Sequence, residues 1–230
     1  MGDIRGLDQC CESTGAPRGR IFHFSLSILY CLLPLLALAG GCASSHSVST
    51  QRLLEHQAQL DFTGLKVAQD SQLIHVTSSP PQHWRSLPIQ ETAVYVHQQW
   101  KSPSGATGAG VVYIHLPLPM SAKMLLWLAR MEYSKDVKDG KVQKEWTDEL
   151  NRPWFEGENG KYHIRGYAIV DGFSAWIVYS GYKVARPVNP EELSIANKYV
   201  ESVVPTNGEK RPSNANLADA GKPRAEQKPG

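Results

Sequence analysis

Three consecutive runs in the second half of the chain decide the fold class. Residues 154–158, 162–170 and 173–183 are each of strand length, rich in aromatic and β-branched side chains, and linked only through Glu158-Asn159-Gly160 and Asp171-Gly172. Asn-Gly and Asp-Gly supply the positive-φ residues that tight hairpin turns require, so the runs must fold back on one another as an antiparallel meander. Asp171-Gly172 is the strongest hairpin signal in the sequence. A sheet made this way has apolar surface to cover, and the rest of the chain must cover it.

The upstream segments add strands. Residues 141–148 follow an Asp139-Gly140 turn signal and carry Val142 and Trp146. Residues 73–77 read as a short strand, and residues 93–100 alternate Val94, Val96 and Gln98 against Tyr95, His97 and Gln99, a period of two. A loop rich in Ser, Gly and Thr at 102–110 precedes residues 111–116, whose nearly unbroken apolar run predicts a central strand ended by Pro117 and Pro119.

Two segments carry helical signals. Ser121 is placed as the N-cap of a helix running to Lys135, with Met124, Leu125, Trp127, Leu128 and Met131 on one broad face. The last begins with Asn189 as N-cap, Pro190 at the first helical position and Glu192 at the third, a capping-box-like start. Its apolar face is Leu193, Ala196, Val200 and Val203, and Pro205 stops it. The expected class is α+β: a curved antiparallel β-sheet with two main helices packed on it.

Domain limits follow from composition. All six tryptophans lie between residues 62 and 204, the span expected to fold as one domain. Residues 205–230 turn to Lys, Pro, Asn, Gly and Ala and read as a disordered tail. Residues 51–60 are weakly helical, either a short helix or part of a spacer. The order of elements, the Pro80-Pro81 and Trp84 entry, the meander and the closing Tyr199-Val200-Glu201-Ser202-Val203 resemble the Mog1/PsbP-like fold. That fold hosts small-GTPase binding, photosystem II support and bacterial lipoproteins, so the resemblance implies an α/β sandwich and no particular activity.

The N-terminal region states where such a domain would reside. Arg18 and Arg20 form a basic edge, residues 21–39 an apolar run, and Gly40-Gly41 a small-residue site, the three parts of a secretory signal. Ala39-Gly40-Gly41-Cys42 resembles the lipobox of bacterial lipoproteins, which implies diacylglyceryl attachment at Cys42. It departs from that pattern in having Ala39 where Leu is usual, with Leu38 one place further out. Acyl chains hold through about 0.8 kcal/mol per buried CH₂, and two or more give a durable anchor. The competing reading is an uncleaved transmembrane helix, against which stand His23, Ser25, Ser27 and Pro34. The segments expected are therefore a signal peptide at 1–41, a lipidated Cys42 with a Ser-rich spacer to residue 61, the domain and the tail.

Cysteine and charge exclude several classes. Cys10, Cys11 and Cys31 precede the cleavage point, so a mature chain keeps only Cys42, with no disulfide, zinc ribbon or cysteine nucleophile. A formal charge of +2 over the chain, with no recognisable motif, gives no reason to expect nucleic acid as partner.

Few residues carry a chemical signature. Asp148, Glu149, Glu156 and Glu158 are close in sequence, and the last two share a strand face, which suits acid/base work or a cation site. The plainer reading is a wet sheet face with Arg152, Lys161 and Arg165 as partners. His115 and His163 lack a second ligand at helical or hairpin spacing, so no metal is expected. Gly105, Gly108 and Gly110 lack the Lys-Ser/Thr and following helix of a phosphate loop. Ser174 and Ser180 sit in no nucleophile elbow. The richer stretch is 146–167, where aromatics interleave with charges. Arg152, Trp154, Glu156, Glu158, Tyr162, His163 and Arg165 are the candidate binding surface, for an envelope protein or glycan. The expected protein is a non-catalytic, cofactor-free binding or assembly module, lipid-anchored at the outer membrane or cell surface of a bacterium. The alternative is an envelope hydrolase using acidic residues of the 148–163 region.

Overall fold

The computed structural model describes residues 49–135 and 141–206. The expected signal segment, Cys42, the tail and the Asp139-Gly140 turn lie outside them. In chain order the elements are α1 (Thr50–Ala58), β1 (Gln69–Ser71), β2 (Val76–Ser78), β3 (Arg85–Ser86), β4 (Gln90–Glu91), β5 (Tyr95–Lys101), β6 (Thr107–His115), α2 (Ala122–Lys135), β7 (Lys141–Thr147), β8 (Pro153–Glu158), β9 (Tyr162–Asp171), β10 (Ser174–Lys183), α3 (Pro190–Glu201) and β11 (Val204–Pro205). The fold is α+β. No helix of the described residues is long and apolar enough to cross a membrane.

The meander forms in the register its turns dictate. Gly172 sits at φ +58° and pairs Asp171 with Ser174, while Gly160 at φ +69° returns β8 into β9. The large sheet runs β3-β5-β6-β10-β9-β8-β7, with β4 also on β5, and every pairing is antiparallel. A second sheet, β1-β2-β11, lies alongside.

Alternation along these strands serves two cores. Val112, Ile114, Ala168 and Ile177 face α2 and meet Leu125 and Leu128. Val111, Tyr167, Trp176 and Val178 face the other way and meet Ala196, Tyr199 and Val200 of α3. That is why the central run carries no polar alternation: both faces are covered, and β6 lies between β5 and β10 as its composition predicts.

Several expectations are corrected. Residues 51–60 are not spacer: α1 is a helix that buries Leu53 in the α3-side core, and Gln57 Nε2 donates to Ser202 O at 2.6 Å. Among the described residues the folded part thus already includes α1 ahead of Phe62, and the three helices there divide between the faces, α2 on one and α1 and α3 on the other. The strand expected at 73–77 is β2 at Val76–Ser78, preceded by β1 at Gln69–Ser71; His75, at φ +49°, belongs to the turn between them. The expected loop at 102–110 is shorter than its composition suggests, because β6 already starts at Thr107 and the hairpin closes through Ser102 N–H to Thr107 O. Trp127 leaves the buried face of α2 and is 45% exposed. Pro205, placed at the start of the tail, is buried in β11 against β2.

Gly110 is required by a side chain, not by a turn. Across the sheet, Gln99, Gly110, Tyr179, Gly166 and Phe155 share one row on the α2 side. Tyr179 reaches across Gly110 to place its hydroxyl 2.6 Å from His97 Nε2, so a Cβ on Gly110 would lie 2.7 Å from Tyr179 Oη and 2.8 Å from Gln98 O. Gly110→Ala is therefore expected to lower unfolding stability by about 2 kcal/mol, the usual scale of overpacking. Urea denaturation of the variant against the parent chain measures it.

The capping box at α3 is also different from its sequence pattern. Asn189 does cap, accepting from Glu191 N–H at 2.9 Å, but Glu192 turns away to the β5–β6 hairpin. Its Oε1 accepts from Ser104 N–H at 3.0 Å and its Oε2 from Ser104 Oγ–H at 2.5 Å. Burial works against this carboxylate, yet the hydrogen bonds from Ser104 and Ser102 hold its pKa below the ordinary value. A lowered folded-state pKa contributes stability above the unfolded-state value, about 4.3, and loses it as pH falls through the folded value. Glu192→Gln should flatten that acid-side loss of stability, measured as thermal midpoint against pH.

Candidate binding surface

The tight turn between β7 and β8 builds the site from one carboxylate. Asp148 Oδ1 accepts from Leu150 N–H (3.1 Å) and Arg152 N–H (2.8 Å), which fixes the turn and leaves Asn151 at φ +62°. Its Oδ2 accepts from Arg152 Nε (2.7 Å) and Trp154 Nε1 (2.8 Å). Arg152 Nη2 then reaches Glu201 Oε2 on α3 at 2.6 Å, and His56 of α1 stands 3.4 Å from the same oxygen. One loop is thereby tied to two helices.

This arrangement removes two residues from the expected surface. Arg152 is 2% exposed and packs its guanidinium 4.4 Å from the Tyr167 ring centroid and 5.3 Å from that of Trp154. Trp154 is buried as well. Burial opposes the charge of Arg152, but the Tyr167 side chain, Glu201 and Asp148 outweigh it and hold the pKa above its already high value. Tyr167 is pushed up by burial, and its hydroxyl donates to Val200 O at 2.9 Å. These groups clamp the fold together. Tyr162 is lost for another reason: it packs on the α2-side core, the opposite face.

The remaining four candidates do come together. Glu156 pairs across the ladder with Arg165 and Glu158 with His163, all on the α3 side of β8 and β9. Glu156 Oε1 lies 3.2 Å from His163 Nε2, and the His163 ring stacks on Tyr182 at 4.7 Å and 13°. Burial first, then the charges of Glu158 and Glu156, raise the pKa of Tyr182, which places both carboxylates within electrostatic reach of that ring. Arg165 lies over Trp154 (4.7 Å) and Trp146 (5.5 Å), and Lys144 lies over Trp146 at 5.0 Å. The two indoles are stacked, 5.4 Å apart at 11°. Lys144 is exposed and was not singled out in the sequence; its two-residue spacing from Trp146 was the available signal.

The other constellations separate. His115 pairs with Ser174 at one end of β10, whereas His163 pairs with Tyr182 near the other. Among the described residues no three His, Cys, Asp or Glu groups could hold a metal together. Ser180 Oγ–H donates to Asn197 Oδ1 at 2.8 Å, and Ser174 lies beside the Tyr113 hydroxyl. Gly108 and Gly110 are within β6, so no phosphate loop exists there.

On the α2 side of the same edge a groove of about 380 Å³ runs between α2 and strands β7 and β8. Nothing in the helical periodicity points to it, since that pattern puts Trp127 on the core face.

No family model matches the sequence, and no curated protein matches it. Among solved structures the chain is similar to the solution structure of cyanobacterial PsbP (CyanoP) from Synechocystis sp. PCC 6803, at 8% identity and a TM-score of 0.44. That match covers 63% of this chain and 94% of the other. At such a distance no chemistry passes from one to the other.

Removing the centre of the clamp tests its structural role. Arg152→Ala leaves the carboxylates of Asp148 and Glu201 without their shared partner and is expected to cost about 3 kcal/mol or more. Chemical denaturation monitored by the stacked indoles gives the value, and Glu156→Ala on the exposed side should stay within about 0.5 kcal/mol of the parent.

Proposed function

We propose that this protein is a lipid-anchored binding module of a bacterial envelope, held by Cys42 and recognising its partner through the outer strands of the sheet. The anchoring half rests on the sequence of residues 18–42. The recognition half rests on one observation: beyond α3, which packs on β6 and β10, the strands β7 to β9 carry Lys144, Trp146, Glu156, His163 and Arg165 as a contiguous strip of cations, indole and carboxylate. Aromatic and Arg side chains with mixed charge around them are the composition of recognition surfaces. Outer-membrane or cell-surface delivery fits Ala43 after the cysteine, where the sorting pattern for inner-membrane retention has Asp.

A second reading has its own observation. The Glu156–His163 contact at 3.2 Å is a carboxylate–imidazole pair of the kind that moves protons, and it supports an envelope hydrolase. Glu156→Gln, Glu158→Gln and His163→Ala separate the two: hydrolysis of envelope polymer that disappears in these variants favours the enzyme.

For the anchor, Cys42→Ser should move the whole population from the membrane fraction to the soluble fraction of a bacterial host. The parent chain should carry acyl mass on Cys42 as its N-terminus. Intact-mass measurement finding residues 1–41 retained, or Cys42 unmodified, overturns the anchored reading.

A further inference from the structure

The groove on the α2 side has a chemistry of its own. Its volume, about 380 Å³, lies inside the range of small-ligand pockets, about 300–1,000 Å³. One wall is helical: Lys123, Trp127 and Arg130 stand four and three residues apart, which puts them on one face of α2. The opposite wall is β7, from which Glu145 pairs with Arg130 across the groove. Leu126 and Phe155, both buried, make the apolar floor.

Trp127 is the unusual member. The indole is left 45% exposed in a helix whose neighbours Leu126 and Leu128 are buried, so much of its ring is open to the groove. Within a groove it offers a broad π face with negative potential, which favours polarised C–H groups. Beside it the Arg130–Glu145 pair presents guanidinium donors and carboxylate acceptors together. A ligand bearing a full charge would meet one partner and be repelled by the other. A pair of neighbouring hydroxyls satisfies both, since each hydroxyl donates and accepts.

From this geometry we infer that the groove between α2 and β7 binds a β-linked, gluco-configured oligosaccharide, stacking one pyranose face on Trp127 and bonding adjacent equatorial hydroxyls to Arg130 and Glu145. Equatorial substitution is what gives a pyranose a flat C–H face, so α-linked or axially substituted sugars fit less well. The inference goes beyond the binding reading above, because the groove lies on the opposite face of the sheet from that strip, and Lys123 in its lining adds a further donor for ring or acetamido oxygens.

The test uses the full-length chain in detergent, titrated separately with cellotetraose and with the β-1,4-linked tetramer of N-acetylglucosamine while the heat of binding is followed by calorimetry. At least one should give a saturable change at millimolar concentration or below, and maltotetraose a weaker one. Trp127→Ala should abolish the change or weaken binding about tenfold, the scale expected for losing one stacking contact. Glu145→Gln should weaken it less. Phe173→Ala, at the similarly exposed aromatic of the β9–β10 turn, should bind as the parent does. Absence of saturable binding by both β-linked tetramers, or Trp127→Ala binding like the parent with its melting temperature unchanged, overturns the inference. The anchored reading falls separately: a chain that binds the tetramers yet stays soluble with Cys42 unmodified retains the groove and loses the envelope, and the converse result does the opposite.

Discussion

Strands β6 and β10 are covered on both faces, and that single constraint orders the rest of the molecule. Most side chains along them fit one of two cores, and the buried polar groups there are largely paired inside. His97 meets Tyr179, Ser180 meets Asn197, and the Trp176 indole donates to Ile74 O at 2.8 Å. No room remains in the middle of the sheet for exchangeable chemistry. The proposed recognition strip lies outward of these strands, on β7, β8 and β9, beyond the two strands on which α3 mainly packs.

The same constraint explains which features the sequence displayed. The turns at Asp171-Gly172 and Asn159-Gly160 were legible, because these pairs specify backbone conformations that nothing distant can override. The Ser121 and Asn189 caps were legible for the same reason, and both accept backbone N–H groups as expected. What periodicity could not show was the side to which an amphipathic helix turns. Trp127 looked like core by type, yet its angle on α2 points it into a groove. α1 was hidden by its polarity: only Leu53 and Gln57 are buried, and Gln57 contributes a hydrogen bond rather than apolar area.

The candidate surface was half legible. Glu156, Glu158, His163 and Arg165 share a face because alternation over two neighbouring strands requires it. Arg152 and Trp154 misled, since charge and an aromatic side by side read equally well as interface or as clamp. The choice is made by Asp148, four and six residues away, whose two oxygens accept from both side chains and fold them inward. A buried guanidinium then needs further carboxylate, and Glu201 supplies it from an element 49 residues distant, beyond any local pattern. Isolated in a low-dielectric interior the charge would be unfavourable; shared between two carboxylates and the Tyr167 ring it is held firmly.

The outer edge combines two demands that usually conflict. An edge strand with free N–H and C=O groups invites pairing with another chain, and β7 is such an edge. It carries exposed Lys144 and Glu145, and its register shifts between Val142 and Lys144, both devices that discourage a flat partner strand. Those same charges are the ones that reach the neighbouring surfaces: Lys144 over Trp146 on one face, Glu145 to Arg130 on the other. A residue that protects the edge by its charge also presents a hydrogen-bonding group beside an indole. Edge protection and the contacts to Trp146 and Arg130 are thus served by the same alternation, with successive side chains of β7 addressing opposite faces of one sheet.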